Sequence, residues 1–233
     1  MTTSGVTTFS VTRDDLIRAI FRTLGVISEG ETPSAAMMVD ANMALNMIIK
    51  AWQARGVGLW LNRLVTVPVV VSQQSYRLGP GSVTPMSRPL GVLEMRLRDS
   101  SGIDLPMEEM SRQEYMELPL KSSSGKPTQF YYDPQMTNGV LYIWPTASDV
   151  TDSLVGTVRV PVDDFVNIAD TPDFPQEWFR ALKFMGARDL IGEYTVPAAT
   201  AQYIVAMAQD AFDEANLFDR ETAPTRFAPD RRY

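Results

Sequence analysis

Carboxylates are the residues that offer this chain its widest choice of chemistry. The 233-residue sequence contains 28 Asp and Glu residues but no histidine and no cysteine. It therefore lacks the commonest general base and every thiolate nucleophile. Paired carboxylates can hydrolyse glycosidic bonds, and Glu108 with Glu109, or Glu29 with Glu31, form such pairs. Acids are so frequent here that we interpret these pairs as solvated surface residues and predict no catalytic residue, with a cell-wall glycan hydrolase as the alternative.

A second group of acids lies in a stretch without Lys or Arg between residues 162 and 177, and comprises Asp163, Asp164, Asp170, Asp173 and Glu177. Oxygen ligands of this kind bind hard cations, but the spacing does not match a calcium-binding loop. We therefore predict a solvated acidic loop, no metal site and no cofactor. If the chain were a ring subunit, acids repeated around a pore would instead repel DNA passing through it.

Aromatic residues concentrate in two predicted strands and comprise Phe130, Tyr131, Tyr132, Tyr142 and Trp144. Such residues can form a platform on which bases or sugars stack. Because no basic residues are interleaved with them and aromatics favour half-buried strands, we predict that they form core or subunit contacts. A glycan-binding module remains a further alternative.

Charge and hydropathy exclude two classes of partner. The net charge of −7 argues against sequence-independent DNA binding, which needs clustered Lys and Arg. No apolar run approaches the roughly 20 residues that span a bilayer, so we predict no membrane contact.

Helical spacing dominates both ends of the sequence. Thr12 and Asp15 form a capping-box pattern before a first helix, and Gly25 provides its stop. Thr32 followed by Pro33 predicts the start of a second helix, which ends at 55–56. Near the C-terminus we predict one helix from Trp178 to Tyr194 and another from Ala198 to about Phe218, whose apolar stripe comprises Tyr203, Met207, Ala211, Ala215 and Phe218.

The middle of the chain has the two-residue period of strands. Pro68 predicts a strand that lies at an edge or carries a bulge, because proline cannot donate a ladder hydrogen bond. Two further runs predict a hairpin whose buried faces comprise Leu93, Met95 and Leu97, then Ile103, Leu105 and Met107. Ser111 with Glu114 predicts a short capped helix, and Asn138-Gly139 predicts a tight turn.

The order of elements predicts an α+β fold. We expect a discontinuous four-helix body formed by residues 10–61 and 174–219. A small antiparallel β-rich domain over 62–165 would be inserted in it, and an extended C-terminal arm would follow over 220–233.

The order of short motifs resembles that of the head-to-tail adaptor proteins of short-tailed bacteriophages, also called tail accessory or DNA-stabilisation proteins. The resemblance covers about residues 10–233. It rests on Leu24-Gly25, the helix end 51–56 with Leu59-Trp60, 73–76, 111–115, 125–127 with Tyr131-Tyr132, 141–145, the acidic lead-in 173–178 and the final helix with its Arg-rich tail.

This resemblance implies a structural virion protein rather than an enzyme. Such proteins form a ring of twelve copies below the portal, link the portal to tail nozzle and tail fibre components, and help retain packaged DNA that passes through without specific binding. The implied location is the head–tail junction of the virion, and the host cytoplasm during assembly. The C-terminal arm of such proteins docks into the portal, which here implicates Arg226, Phe227, Arg231, Arg232 and Tyr233.

Overall fold

The computed structural model describes residues 3–219, apart from the side chain of Leu59, and these fall into two compact units. One unit contains the described residues up to Leu59 and from Val162 onwards, and the other spans Trp60–Pro161. The fold is α+β, as predicted. No helix in the described part of the chain has the length and apolar character needed to cross a bilayer. The predicted domain limits and the four-helix body stay predictions.

The described residues contain five α-helices: α1 (Arg13–Leu24), α2 (Ala35–Ala54), α3 (Arg112–Glu117), α4 (Phe179–Asp189) and α5 (Ala198–Phe218). Both predicted capping boxes are confirmed, because Thr12 with Asp15 caps α1 and Ser111 with Glu114 caps α3. Gly25 ends α1 with a left-handed backbone at φ 74°. The predicted start of α2 is wrong by two residues, since the Ser34 side chain, rather than that of Thr32, accepts the capping hydrogen bond from Met37 N–H.

In the helical unit, α4 packs against α1, α2 and α5. The Trp52 ring of α2 lies 5.2 Å from that of Trp178 and 5.4 Å from that of Phe212. Gly186 lets α4 approach closely, because a Cβ there would lie 2.5 Å from Ile20 Cδ1. These contacts form a core of aromatic and branched side chains between helices that are distant in sequence.

The predicted stripe of α5 is only partly correct. Tyr203 and Phe218 are 56% and 63% exposed, whereas the buried residues of the helix are Ile204, Ala208, Ala211 and Ala215. Small alanines allow α5 to lie close to α4, and this tight packing buries the alanine face rather than the face with the largest side chains.

The β unit contains nine strands: β1 (Asn62–Pro68), β2 (Ser75–Leu78), β3 (Gly91–Arg98), β4 (Asp104–Glu109), β5 (Ser124–Gly125), β6 (Gln129–Asp133), β7 (Gly139–Trp144), β8 (Thr146–Ala147) and β9 (Ser153–Arg159). Seven of them form one large curled sheet in the order β1-β9-β3-β4-β6-β7-β2, while β5 pairs with β8. The strand β1 lies at an edge of the sheet, one of the two placements that Pro68 predicted.

The prediction of a small antiparallel β unit is only partly correct, because five of the seven strand pairs in the described residues are antiparallel and two are parallel. Strand β4 pairs in parallel with β6 through Glu108↔Gln129 and Glu109↔Phe130, and β5 pairs in parallel with β8. The reason is the connection, since α3 and its flanking loops lie between β4 and β6. A crossover of a dozen or more residues allows a strand to return in the same direction, which a hairpin cannot do.

Two details of the hairpin β3–β4 also differ from the prediction. A register shift between Val92 and Glu94 leaves Leu93 48% exposed, because a bulge changes the face on which the following residues lie. Met95, Leu97 and Met107 are buried as predicted, but Ile103 and Leu105 are exposed.

Asn138 and Gly139 do not form a tight turn. Gly139 already belongs to β7, and residues 134–138 make the connection from β6. The Asn138 Oδ1 atom accepts a hydrogen bond of 2.9 Å from Gly81 N–H. A Cβ on Gly139 would overlap the hydroxyl and ring of Tyr132, so this glycine is required by a close approach.

Candidate interaction surfaces

The acidic segment, residues 163–177, is fastened to α2 at its N-terminal end. Asn46 holds the buried Phe165 from both sides: its Oδ1 accepts from Phe165 N–H at 2.9 Å and its Nδ2 donates to Phe165 O at 3.1 Å. Asn42 Nδ2 lies 3.4 Å from the same carbonyl oxygen. One turn further along α2, Lys50 Nζ donates to Val162 O at 3.1 Å. The segment is therefore positioned by the polar residues of α2.

Lys50 also forms the ion pair of this region. Its Nζ lies 2.6 Å from Asp164 Oδ1, and both side chains are about half exposed. An exposed pair of this kind contributes little to stability. Its main effect is to fix the position of one carboxylate next to α2.

Asp170 orders the next part of the acidic segment. Its carboxylate accepts the N–H groups of Asn167 and Val166, and these backbone hydrogen bonds hold the pKa of Asp170 below its ordinary value. The Asp170 carbonyl accepts Arg13 N–H at 2.8 Å, and the Arg13 side chain donates to Val166 O at 3.3 Å. The segment is thus bound to the start of α1 as well as to α2.

The structure brings four of the five predicted acids to one open cleft, lined in part by Asp163, Asp164, Asp170 and Asp173. Glu177 is exposed and accepts a hydrogen bond from its neighbour Gln176. Within residues 3–219, no group of three or more carboxylates is arranged to hold a metal ion. The residues predicted to dock into the portal, Arg226, Phe227, Arg231, Arg232 and Tyr233, lie outside the described residues.

The aromatic strands β6 and β7 are packed on both faces. Phe130 and Tyr132 belong to the core of the β unit, where Tyr132 Oη donates to Pro89 O at 2.6 Å and burial raises the pKa of Tyr132 to about 12. On the opposite face, Tyr131 and Tyr142 stack 5.8 Å apart at an interplanar angle of 14°. The prediction of core contacts is confirmed for Phe130 and Tyr132.

The helix α3 covers that opposite face. The Tyr115 ring lies 5.6 Å from that of Tyr131 and 4.9 Å from that of Tyr142, and Trp144 Nε1 donates to Leu120 O at 3.1 Å. These rings pack against one another, which leaves little aromatic surface on which a base or sugar would stack.

The carboxylate pair Glu108 and Glu109 consists of consecutive residues of strand β4. Both residues border a cleft beside α3. Because successive strand residues point to opposite faces of a sheet, their side chains do not have the facing arrangement of a glycosidase pair. Glu108 accepts a hydrogen bond of 3.3 Å from Gln129 Nε2, as a solvated surface residue would.

The sequence prediction missed an apolar stripe on the outer face of α2. Val39, Met43 and Met47 are 66%, 54% and 57% exposed and lie at steps of four residues. An open groove runs beside the stripe and is lined by Asn42, Met43, Asn46, Met47, Lys50 and Asp164. The signal in the sequence was a helix of 20 residues with apolar residues on both faces and only Asp40 and Lys50 as charges. Exposed apolar side chains grouped in this way form a candidate contact surface.

A basic patch lies on α1 and α4. Arg18 and Arg22 are exposed one turn apart on α1. Burial lowers the pKa of Lys183, and the like charges of Arg22 and Arg180 lower it further. Lys183 Nζ lies 4.7 Å from the centre of the Phe184 ring. Within the described part of the chain, Arg18, Arg22 and Lys183 form no ion pair with a carboxylate.

Comparison with known proteins gives one finding for the whole chain. The family model described as SU10 adaptor protein matches residues 11–232. No curated protein matches the sequence. The matched range includes residues of both compact units, among them the acidic segment, the α2 stripe and the basic patch. The chain therefore belongs to the SU10 adaptor protein family, a family of phage head-to-tail adaptors.

Proposed function

We propose that this protein is a structural component of the virion that links the portal to the tail of a bacteriophage, without an enzymatic role. The observation that carries the proposal is the family match, which spans residues 11–232 and so covers nearly the whole sequence. The partners are the portal protein on one side and tail nozzle or tail fibre components on the other.

The protein acts as a ring of twelve copies below the portal. Twelve chains with a net charge of −7 carry roughly −84 (12 × 7), and like charges repel over distances comparable to the Debye length. Lateral contacts in such a ring are therefore apolar or locally complementary in charge. The exposed apolar stripe of α2 supports this requirement.

The ring also helps to retain packaged DNA, which passes through without specific binding. The cleft with four aspartates supports this role because a negative surface repels the phosphate backbone and prevents adhesion. Replacing Asp163 and Asp173 with Lys should then increase retention of the chain on a DNA column at low salt. Unchanged retention would show that these acids do not control DNA contact.

The C-terminal arm, 220–233, docks into the portal. It contains four Arg residues against Glu221 and Asp230, a net charge of +2 (4 − 2), together with Phe227 and Tyr233. Charge-assisted hydrogen bonds of Arg, multiplied around a ring of linked contacts, suit such an arm.

Electron microscopy of the chain mixed with its portal tests this function. We expect a ring of added density at the vertex, and we expect a chain that ends at Asp219 to lose it. A matched full-length variant with Arg226, Arg231 and Arg232 changed to Gln tests the charges without changing the length. If the shortened chain binds the portal as the full chain does, the arm is not the docking element.

An unfolding experiment tests the domain organisation of the chain. We propose that the β-rich insertion, 62–165, folds as a domain in the helical body formed by 10–61 and 174–219. When expressed alone, the insertion should unfold cooperatively, and a broad, non-cooperative transition would contradict its status as a domain.

A further inference from the structure

The outer face of α2 points away from the core of its own unit. The helix buries Ala41, Leu45, Ile48 and Trp52, which recur at helical spacing on its inner side. The exposed stripe of Val39, Met43 and Met47 lies on the opposite side. Methionine side chains adapt well to a partner surface because they are unbranched and flexible. The stripe is thus available for contact with another molecule.

The charge beside the stripe is negative. Asp163, Asp164, Asp170 and Asp173 line the cleft of the acidic segment, and Lys50 is the cation held against Asp164. The acidic segment contains five acids and no Lys or Arg. Among the described residues, Lys50 and Arg13 contact it as bases, which gives a formal charge of −3 (2 − 5). We call the stripe together with the acidic segment the acidic apolar face.

The basic patch on α1 and α4 has the opposite charge. Arg18, Arg22, Arg180 and Lys183 contribute four positive charges, and Asp15 and Glu214 interact with them as negative charges. The balance is +2 (4 − 2). The apolar surface of the patch is the ring of Tyr203, which is 56% exposed and lies 6.5 Å from the buried ring of Phe184.

The apolar stripe and the basic patch lie on different helices of the helical unit. The buried side of α2 packs against α4 and α1, so the stripe faces away from those helices, while Arg18 and Arg22 are exposed on the outer side of α1. Two different surfaces that match in charge and apolar character produce a head-to-tail contact, which closes into a ring when the rotation permits. A two-fold dimer would instead require one surface that matches itself.

We propose that the acidic apolar face of one copy binds the basic patch of the next copy. The inference deepens the ring of the proposed function and names the surfaces that build it. The exposed face of α2 is about 30 Å long and about 10 Å wide, an area of about 300 Å². This area is less than half of the roughly 800 Å² that each partner buries in a standard interface. The acidic segment therefore has to share the contact, and ring closure strengthens it.

Two variants with single substitutions, measured separately and as a mixture, test this proposal. Met47→Asp adds charge to the stripe and Arg22→Glu reverses charge in the basic patch, both at exposed positions. Met136→Asp and Arg63→Glu make the same changes at exposed residues of the β unit that belong to neither face. Far-UV circular dichroism of each variant checks that the helices persist.

Sedimentation velocity over a concentration series, up to about 1 mM at low salt, gives the result. The wild-type chain and both controls should associate, and salt should weaken the association. Met47→Asp and Arg22→Glu should each weaken it at least tenfold. A mixture of these two variants should form one-to-one dimers and nothing larger, because each retains the face that the other lacks.

Three results would overturn the proposal: a monomeric wild-type chain throughout the series, unchanged association of either face variant, or a mixture that stays monomeric. Capture of the chain by portal rings distinguishes failure of the proposed interface from failure of the proposed function. A chain that binds the portal in independent copies without self-association refutes the interface alone. A chain that associates as expected but is not captured refutes the portal link alone.

Discussion

Asn46→Ala should release the acidic segment from α2. The Asn46 amide makes two hydrogen bonds to the backbone of Phe165, at 2.9 and 3.1 Å, and Phe165 is only 4% exposed. Each bond contributes about 0.5–1.5 kcal/mol net, and a buried N–H group left without a partner raises the cost. Alanine returns up to about 0.7 kcal/mol of helix propensity. The expected loss in the free energy of unfolding is about 2 kcal/mol.

Denaturant unfolding followed by circular dichroism measures this loss, and hydrogen exchange at the Phe165 amide measures the local release. Exchange at this amide should become faster in the variant before the helices unfold. Gln202→Ala, at an exposed position of α5, is the matched control and should change stability by less than about 0.5 kcal/mol. If Asn46→Ala keeps wild-type stability and wild-type exchange at Phe165, then the clamp does not hold the segment.

Three further changes test other parts of the structure. Gly139→Ala should destabilise the β unit by about 1–3 kcal/mol in thermal unfolding because its Cβ overlaps Tyr132, whereas Gly91→Ala, with no atom within 4 Å, should be close to neutral. Tyr132→Phe should cost about 1–2 kcal/mol at pH 7 through the lost bond to Pro89. The folded-state pKa of Tyr132 is raised to about 12, so between pH 10 and 12 this tyrosine ionises in the unfolded chain but not in the folded one. The wild-type chain should therefore lose stability over this range and the variant should lose less. Equal losses of stability in the two chains would contradict this. Asp170→Asn should lower stability at pH 7, and the difference should shrink as pH falls below about 4, because the lowered pKa of Asp170 means that its contribution is present above the unfolded value and is lost as it protonates. A difference that does not change with pH would show that its carboxylate charge is not involved.

Local signals in the sequence predicted the elements that depend on neighbouring residues. Thr12 with Asp15 and Ser111 with Glu114 cap helices because each hydroxyl and carboxylate reaches a backbone N–H three residues away. Gly25 ends α1 because its left-handed backbone is a property of that residue alone. Pro68 predicted an edge or bulged strand for an equally local reason, its missing N–H group. The order of motifs also identified the adaptor family.

Long-range contacts decided what these signals could not. The parallel pairing of β4 with β6 depends on where the crossover through α3 returns the chain, and the buried stripe of α5 depends on how closely its alanines approach α4. The sequence predicts a solvated loop for the acidic segment. In the structure, Asn46 and Lys50 bind it to α2, which lies more than 100 residues earlier in the chain. The stripe of Val39, Met43 and Met47 became a candidate interface only when the opposite side of α2 was found to fill the core. Burial is a property of the assembled elements, so the sequence determined the helices and strands while the tertiary structure determined which of their faces remain free to bind.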